Sequence, residues 1–539
     1  MDAEKESGFH WDEEVDVIVV GFGGAGACAA IEAADKGCDV LVVERFNGGG
    51  ATKNSGGICY AGGGTTFQKE AGVDDNPENM FNYLKMEVGD AVSDETLKRF
   101  CEQSPASISW LEDQGVRFDS SVCPFKTCYP PDPYYLYYSG NEPFPPYNRQ
   151  ATPAPRGHRP LGKGLPGNAL FSRLKESAIE KGVKVRYRSK AKRLIADQNG
   201  SVAGLEFSSI PRYSLFNLLH RLLSYVVYKL RYVTISMPAL NRVFSPLFSL
   251  LELRGRTVRV RARKGVILAC GGYIFNRKMV EEIAPAYIKG PPLGTLGDDG
   301  SGIKLGEAVG GVAAHMDRIS AWRFITPPEA MVKGVLVDQQ GKRICNEQLY
   351  GAQMGEAMVG EHGGRAWLII DADIWKRVRR DIGWGKARWF QVMSAFINLY
   401  LNRKKADSVD KLAEKCSIHR QNLRDTLESY NERARSGGAD DMGKSSEHLQ
   451  PIITPPLYAI DCSLDNRMFP CATLTLGGLV VDEETREVKR DDGSLIKGLY
   501  AVGRNAAGIP SRGYVSGLAI AHCVFSGREA ARHAALKPD

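Results

Sequence analysis

The chain has little of what marks several common protein classes. Its twelve cysteines include no CxxC pair and no metal-ligand spacing, so no metal site is expected. The thiols read as small buried hydrophobes in a reducing cytoplasm. Residues 1–16 are acidic and polar, unlike the basic and then apolar start of a secretory signal. Internal repeats and low-complexity tracts are missing. A net charge of +7 on 539 residues is mild and comes with no nucleic-acid motif, so nucleic acid is not expected as a partner.

What the chain has in quantity is glycine, 58 residues clustered in short loops beside apolar runs. With 43% hydrophobic and 25% charged residues it can bury a large core. Its length suggests two to four domains. Residues 17–20 are a β-branched apolar run, the mark of a buried parallel strand. A glycine loop follows, then an alanine-rich helical segment at 25–36 and a second strand at 38–44. Residues 77–115 read as helical, with Ser93 as an N-cap. Residues 168–181 read as a helix, 183–187 and 191–196 as strands, and 257–269 as a strand pair. Residues 202–207 are expected to pair with 257–261. Residues 129–146 form a loop crowded with tyrosine and proline, and 436–446 a polar hinge.

Gly21, Gly23 and Gly26 stand in GxGxxG spacing between the first strand and the first helix. The first glycine permits a tight turn, the second lets backbone approach a pyrophosphate, and the third lets helix and strand pack closely. The phosphates would lie at the amino end of the helix, beside Gly24 and Ala25. Glu44, at the end of the second strand, is placed to accept hydrogen bonds from ribose hydroxyls. Gly503 and Arg504, in a strand-and-glycine turn near the C-terminus, favour noncovalent FAD over NAD. Gly50, Ala51, Thr52, Ser55, Gly56 and Gly57 supply backbone donors and small side chains for close approach. Arg45, Ala191, Ala269, Asp299, Gly517 and Leu518 are assigned to the same cofactor. No histidine sits in a flavin-linking motif.

The expected fold class is α/β. A discontinuous Rossmann-type FAD-binding domain takes residues 1–320 and 456–539, and an inserted α+β catalytic or capping domain takes 321–455. An apolar, basic helical insert occupies 208–251, with five Lys or Arg and no acidic residue. Charges break its apolar runs short of the roughly 18–20 residues that span a bilayer. A helix pair lying in the membrane interface is the functional reading, and an oligomer or domain contact is the other. A cytoplasmic protein at the inner face of the cytoplasmic membrane follows from the first. A second patch mixes Trp384, Trp389, Phe390, Phe396 and Tyr400 with Lys386, Arg388, Arg403 and Lys404; it either shares that surface or is core.

In an extended 513–517 segment, Tyr514 and Ser516 point to one face, just before a helix at 518–531. A phenol and a hydroxyl beside a flavin suit a carbonyl substrate; otherwise they satisfy the backbone of a turn. The aromatic loop 129–138 either lines an apolar pocket or is a stiff surface loop. Arg156 and His158 orient that loop or are surface charges.

The ordered motifs VDVIVVGFGGAGACAA, SGGICYAGGGT, VILACGG, GDDGSGIKLG, GKRICNEQLYGA, TLGGLVVD, GLYAVGRNAAG and RGYVSGLAIAHCVFSGR resemble those of the fumarate-reductase-like flavoproteins. Within them the chain is most similar to the 3-ketosteroid Δ4-(5α)-dehydrogenases. That resemblance implies that Tyr514 hydrogen-bonds the C3 ketone of a steroid, Ser516 takes the C4 proton and Tyr350 relays it to solvent. The C5 hydride goes to flavin N5, which implies an electron acceptor for the reduced flavin. Leu349-Tyr350-Gly351 stands where fumarate reductases carry an arginine proton donor. Tyr-Val-Ser-Gly stands where Δ1-dehydrogenases show Tyr-Pro-Gly-x-Gly. Three alternatives stay open: a 3-ketosteroid Δ1-dehydrogenase, a fumarate- or urocanate-type reductase of an α,β-unsaturated carbonyl, and a non-catalytic flavin-binding membrane subunit.

Overall fold

The computed structural model describes residues 10–237, 239–383 and 387–537. The apolar run 15–20 lies in strand Glu13–Val20, which is paired on both edges with parallel neighbours. The sheet order is Glu487–Lys489, Leu495–Ala501, Arg256–Leu268, Glu13–Val20, Val40–Glu44 and Lys184–Tyr187, antiparallel only at the first pair. Strands buried on both faces need apolar residues at every position. Val17, Val19, Val40 and Val42 face one core, while Ile18, Val20, Leu41 and Val43 face the other. This alternation is the two-residue period of a strand.

Helices Gly24–Asp35 and Leu518–Ala535 pack together over the first of these faces. A Cβ on Gly527 would lie 2.6 Å from the Ala25 carbonyl oxygen, so glycine sets the closeness of the two helices. Arg528 and Arg532 both pair with Glu32, at 2.8 and 2.7 Å. The two ends of the chain thus build one unit, a mixed α/β sheet with helical layers.

Two stretches differ from the sequence reading. Residues 257–269 are one strand, Arg256–Leu268, rather than a pair. Its first half pairs antiparallel with Val202–Ser209 and its second half parallel with Leu495–Ala501. A register shift opposite Val15 and Val17, beside Gly265 at φ +152°, joins the halves, so a glycine that reads as a turn is a bulge. Residues 77–115 are two helices, Pro77–Val88 and Asp94–Asp113, because Gly89 at φ +55° ends the first. Ser93 caps the second, accepting from Thr96 N–H at 3.2 Å.

The insert contains three helices, Leu215–Lys229, Arg231–Ser236 and Ala239–Glu252, where two were expected. Arg231 donates to the Tyr228 carbonyl at 2.9 Å, covering the end of the first helix as the chain turns into the second. No helix among the described residues is long and apolar enough to cross a membrane.

A second core surrounds the antiparallel sheet Val335–Val337, Trp367–Ile370, Leu457–Asp461, Arg403–Ala406. Helices Gly351–Gly360, Ala372–Asp381, Val409–Cys416 and Arg420–Ser436 cover it. The core runs past the boundary read at residue 455. Strand Leu457–Asp461 pairs on both of its edges there, and Cys462, Leu464, Phe469 and Cys471 are buried with it.

Candidate active site

Glycines shape the cofactor cradle. Gly21 has φ +101°, and a Cβ on it would lie 2.6 Å from the Ala269 carbonyl oxygen. A Cβ on Gly26 would collide with the Gly21 carbonyl oxygen. Beside Gly23 the nearest atom would be 3.9 Å away, which leaves room for a ligand. Helix Gly24–Asp35 starts there with no side-chain cap and no acid in its first turn, so its amino end can receive an anion. Thr52 Oγ1 accepts from Gly24 N–H at 3.1 Å and ties the loop containing Gly50 and Ala51 to this turn. Ser55 Oγ accepts from Gly57 N–H at 3.0 Å, and Tyr129 donates to the Gly56 carbonyl at 3.1 Å.

Glu44 is buried, and its carboxylate accepts from Phe22 and Phe46 N–H at 2.8 and 2.7 Å. Burial pushes its pKa up against those bonds. A carboxylate has about four acceptor positions, so these backbone donors leave capacity for a ribose hydroxyl. Arg45 and Asp299 are turned onto each other at 2.8 Å, and Arg45 also pairs with Glu252 at 2.7 Å. Ala191 lies opposite Phe207 on the flank of the sheet, and Ala269 N–H donates to the Val20 carbonyl at 2.8 Å. Gly503, at φ +58°, brings the C-terminal segment against Ala25. Arg504 pairs with Asp298 at 2.6 Å, yet its buried Nη1 has no partner among the described residues. An open helix terminus, a fixed carboxylate and an unpaired guanidinium nitrogen fit FAD, which carries a diphosphate, a ribose and an electron-rich ring when reduced.

The second cluster is aromatic. A Cβ on Gly513 would collide with the Glu87 carbonyl, and Gly517, at φ +92°, accepts from Tyr60 N–H at 3.2 Å. These anchors hold 514–516 between them. The Tyr514 ring lies 5.2 Å from Trp322, Trp322 lies 5.8 Å from Phe324, and Phe324 lies 5.2 Å from Tyr350. With Leu474 and Leu476 they form an apolar aromatic cluster, a surface chemistry suited to a flat ringed molecule. The Ser516 hydroxyl lies 3.2 Å from the Tyr137 hydroxyl, and the Tyr350 phenol lies on the same side close enough for Ser516 to lower its pKa. Ser139 Oγ donates to the Ser516 carbonyl at 3.0 Å. Burial pushes the phenols of Tyr514, Tyr350 and Tyr137 well above their usual value, so all three stay protonated.

The structure therefore brings Tyr514, Ser516 and Tyr350 together and adds Tyr137, Trp322 and Phe324, which the sequence reading left without roles. The tyrosine-rich loop was visible; which ring turns inward depends on strand Leu136–Tyr137 pairing with Gly157–His158. Tyr350 is positioned from behind. Its N–H donates to Asn141, whose side chain donates to Glu87 at 2.8 Å. Tyr83 donates to the same carboxylate at 2.6 Å, and burial raises Glu87 to about 7. Glu347, paired with Arg343 at 2.7 Å and Lys444 at 2.8 Å, pins the turn before Tyr350.

Arg156 and His158 are not surface charges. Arg156 is fully buried and bidentate on Asp75, at 2.9 and 2.7 Å. His158 lies 2.9 Å from Thr65 Oγ1, and burial lowers its pKa to about 4.

Two outer surfaces flank these sites. Leu215, Leu222, Leu250 and Leu253 are 65, 50, 62 and 78% exposed on the insert and just beyond it. Helix Trp389–Tyr400 exposes Trp389, Met393, Phe396 and Tyr400 on one side, so this patch is not core. Its other side bears on the aromatic loop: Gln391 donates to the Tyr129 carbonyl at 3.2 Å and Arg388 pairs with Asp132 at 2.9 Å. Trp384 and Lys386 of that patch lie outside the described residues, as does the start of the acidic stretch, up to residue 9.

Comparison with known proteins agrees with this geometry. Residues 16–516 match the family described as FAD binding domain. The chain is 39% identical to the 3-oxo-5-alpha-steroid 4-dehydrogenase of Comamonas testosteroni, across 93% of this chain and 95% of that one. It is 28% identical to the 3-oxosteroid 1-dehydrogenase of Mycobacterium tuberculosis, across 93% and 94%. The crystal structure of the 3-ketosteroid-delta4-(5alpha)-dehydrogenase from Rhodococcus jostii RHA1, in complex with 4-androstene-3,17-dione, superposes with a TM-score of 0.83 at 32% identity over the whole of both chains. The chain belongs to the FAD-binding domain family and, within it, to the family of the 3-oxo-5-alpha-steroid 4-dehydrogenase.

Proposed function

We propose that this enzyme desaturates a 3-keto-5α-steroid between C4 and C5. The observation that carries this is the Ser516 hydroxyl, flanked by Tyr137 and Tyr350 and next but one to Tyr514, at the edge of an apolar aromatic cluster. The Tyr514 phenol donates a hydrogen bond to the C3 ketone, drawing charge from the adjacent C4–H bond. Ser516 Oγ takes the C4 proton while its own proton passes to a neighbouring tyrosine. Serine is too weak a base to do this alone at neutral pH, so the relay is required. Because burial keeps Tyr350 and Tyr137 neutral, each must release its own proton as it accepts one. Bound FAD, held by the Gly21–Gly26 turn, Glu44 and Arg504, supplies the acceptor for the C5 hydride. Trp322 and Phe324 exclude water and hold the ring system flat. The two ends of the chain serve the cofactor, and the unit that begins at 321 and runs past the boundary read at 455, to about Cys471, closes over the substrate.

Product analysis tests this reading. A 5α-reduced 3-ketosteroid should yield the Δ4 product. A Δ1 product, or no turnover of either a 5α-reduced or a Δ4 substrate, would overturn it.

We also propose that the protein lies peripherally on the inner face of an anionic membrane, where such substrates dissolve. The support is an apolar outer face on a segment with five cations and no acid. Leu222→Glu with Leu250→Glu should abolish partitioning onto anionic liposomes. Unchanged partitioning after these changes and after deletion of 208–251 would reject it.

A further inference from the structure

We infer that the 208–251 insert is a working part of the cofactor site: Arg231, together with Lys53, holds the diphosphate of FAD, and the insert walls the cavity beside the cradle from outside. A cavity of about 130 Å³ is lined on one side by Glu44, Gly50 and Asn54 of the cradle and on the other by Tyr228, Arg231 and Phe248 of the insert. The insert is bolted to this loop. Phe46 packs against His220 and Phe248, with ring centroids 5.8 and 5.0 Å away. Asn47 donates to the Arg221 carbonyl at 3.1 Å, and Arg45 pairs with Glu252.

The charges at this seam are unbalanced. The Lys53 ammonium and the Arg231 guanidinium each lie 4.4 Å from the Tyr228 ring centre. Among the described residues, no carboxylate forms an ion pair with Lys53, Lys175 or Arg231, and the buried Arg231 Nε has no partner. Burial, then Lys175 and Arg231, lowers the pKa of Lys53. Like charges gathered beside a cavity in a half-buried setting call for an anion. A phosphate group is the matching chemistry, since the Lys53 ammonium and the unpartnered Arg231 Nε both donate, while Arg231 Nη1 and Nη2 are held by the Tyr228 carbonyl and the Tyr232 hydroxyl. FAD and a phospholipid headgroup both carry one. The cavity favours FAD, because its inner wall includes the Glu44 and Gly50 positions that hold the same cofactor.

The test reads binding, not turnover. The rate of flavin release from the holoprotein, and the affinity of the apoprotein for FAD, ADP and adenosine, are measured for wild type, Arg231→Ala, Arg231→Lys and Lys53→Met. Removing one charge-assisted contact should weaken FAD and ADP binding roughly tenfold or more. Adenosine, which lacks phosphate, should bind unchanged, and Arg231→Lys should restore part of the loss. Lys53→Met lies outside the insert, so it carries the test if Arg231→Ala does not fold. FAD and ADP affinities within twofold of wild type in both variants would overturn the inference. So would loss of binding to anionic phospholipid vesicles with FAD affinity kept, which would assign the cations to a lipid headgroup.

Discussion

Between residues 21 and 52 the cofactor cradle is made of backbone: glycine turns, an uncapped helix end and a carboxylate held by two N–H groups. Around Ser516 the walls are side chains from four distant segments, at 137, 322–324, 350 and 514–516. The glycine turns of the cradle fail when a methyl group is added. The aromatic cluster instead should fail when a hydroxyl is removed. This difference orders the expected effects of substitution.

The largest effect belongs to the cradle. Gly26→Ala forces a Cβ into the Gly21 carbonyl, so the protein should purify without flavin colour or not fold at all. Gly23→Ala meets nothing closer than 3.9 Å in the protein itself and should fold, losing FAD affinity alone. Equal behaviour of the two would break the distinction between a packing glycine and a ligand-facing one. Next comes the pocket. Ser516→Ala should lower kcat for a 5α-3-ketosteroid by roughly 10²–10⁴ with flavin content unchanged.

Tyr350→Phe and Tyr137→Phe sharpen the comparison within the pocket, since both phenols reach Ser516. We expect each to cost roughly tenfold to a hundredfold in kcat. The double variant should fall by less than the product of the single losses if the two act as one relay. Wild-type turnover in Tyr137→Phe would leave Tyr350 as the sole route for the proton.

The two regions should also respond to pH with opposite sign. His522, on the helix backing the cradle, is held neutral by burial, its pKa lowered from 6.5 to about 3. Its contribution to stability is present above 6.5 and is lost as pH falls toward 3. Glu87, behind Tyr350, is raised by burial from 4.5 to about 7. Its contribution is present below 4.5 and is lost as pH rises through 7. At about 1.4 kcal/mol per pKa unit, the limbs are on the order of 5 kcal/mol for His522 and about 3 kcal/mol for Glu87. Urea unfolding at about pH 5 and about pH 8 checks this: His522→Leu should flatten the acid limb and Glu87→Gln the alkaline one. An unchanged pH dependence in either variant would assign that limb to other groups.

Much of the cradle was legible because its parts are adjacent in the chain. A strand, a glycine turn and a helix follow one another within 13–35, and each announces itself by a local pattern. The same logic failed at Gly265, where a glycine in an apolar strand is a bulge instead of a turn. Periodicity is a local signal, and it cannot tell that the two halves of one long strand take different partners in the same sheet. Arg156 illustrates the opposite failure. As a residue type it reads as surface, and only the buried carboxylate of Asp75, far away in sequence, makes its burial tolerable.

By itself, then, the sequence determined the cofactor class and the strand, turn and helix that open its site, and it singled out Tyr514 and Ser516 as candidates, because short-range spacing is enough to specify a turn and a face. Only the tertiary structure decided that Tyr137 joins that pair, that Trp322 and Phe324 wall the pocket, and that the 208–251 insert packs against the loop after Glu44. Those outcomes depend on which segments meet across hundreds of residues. Such meetings are chosen by burial of whole faces and balance of charge, and no local pattern in the chain encodes them.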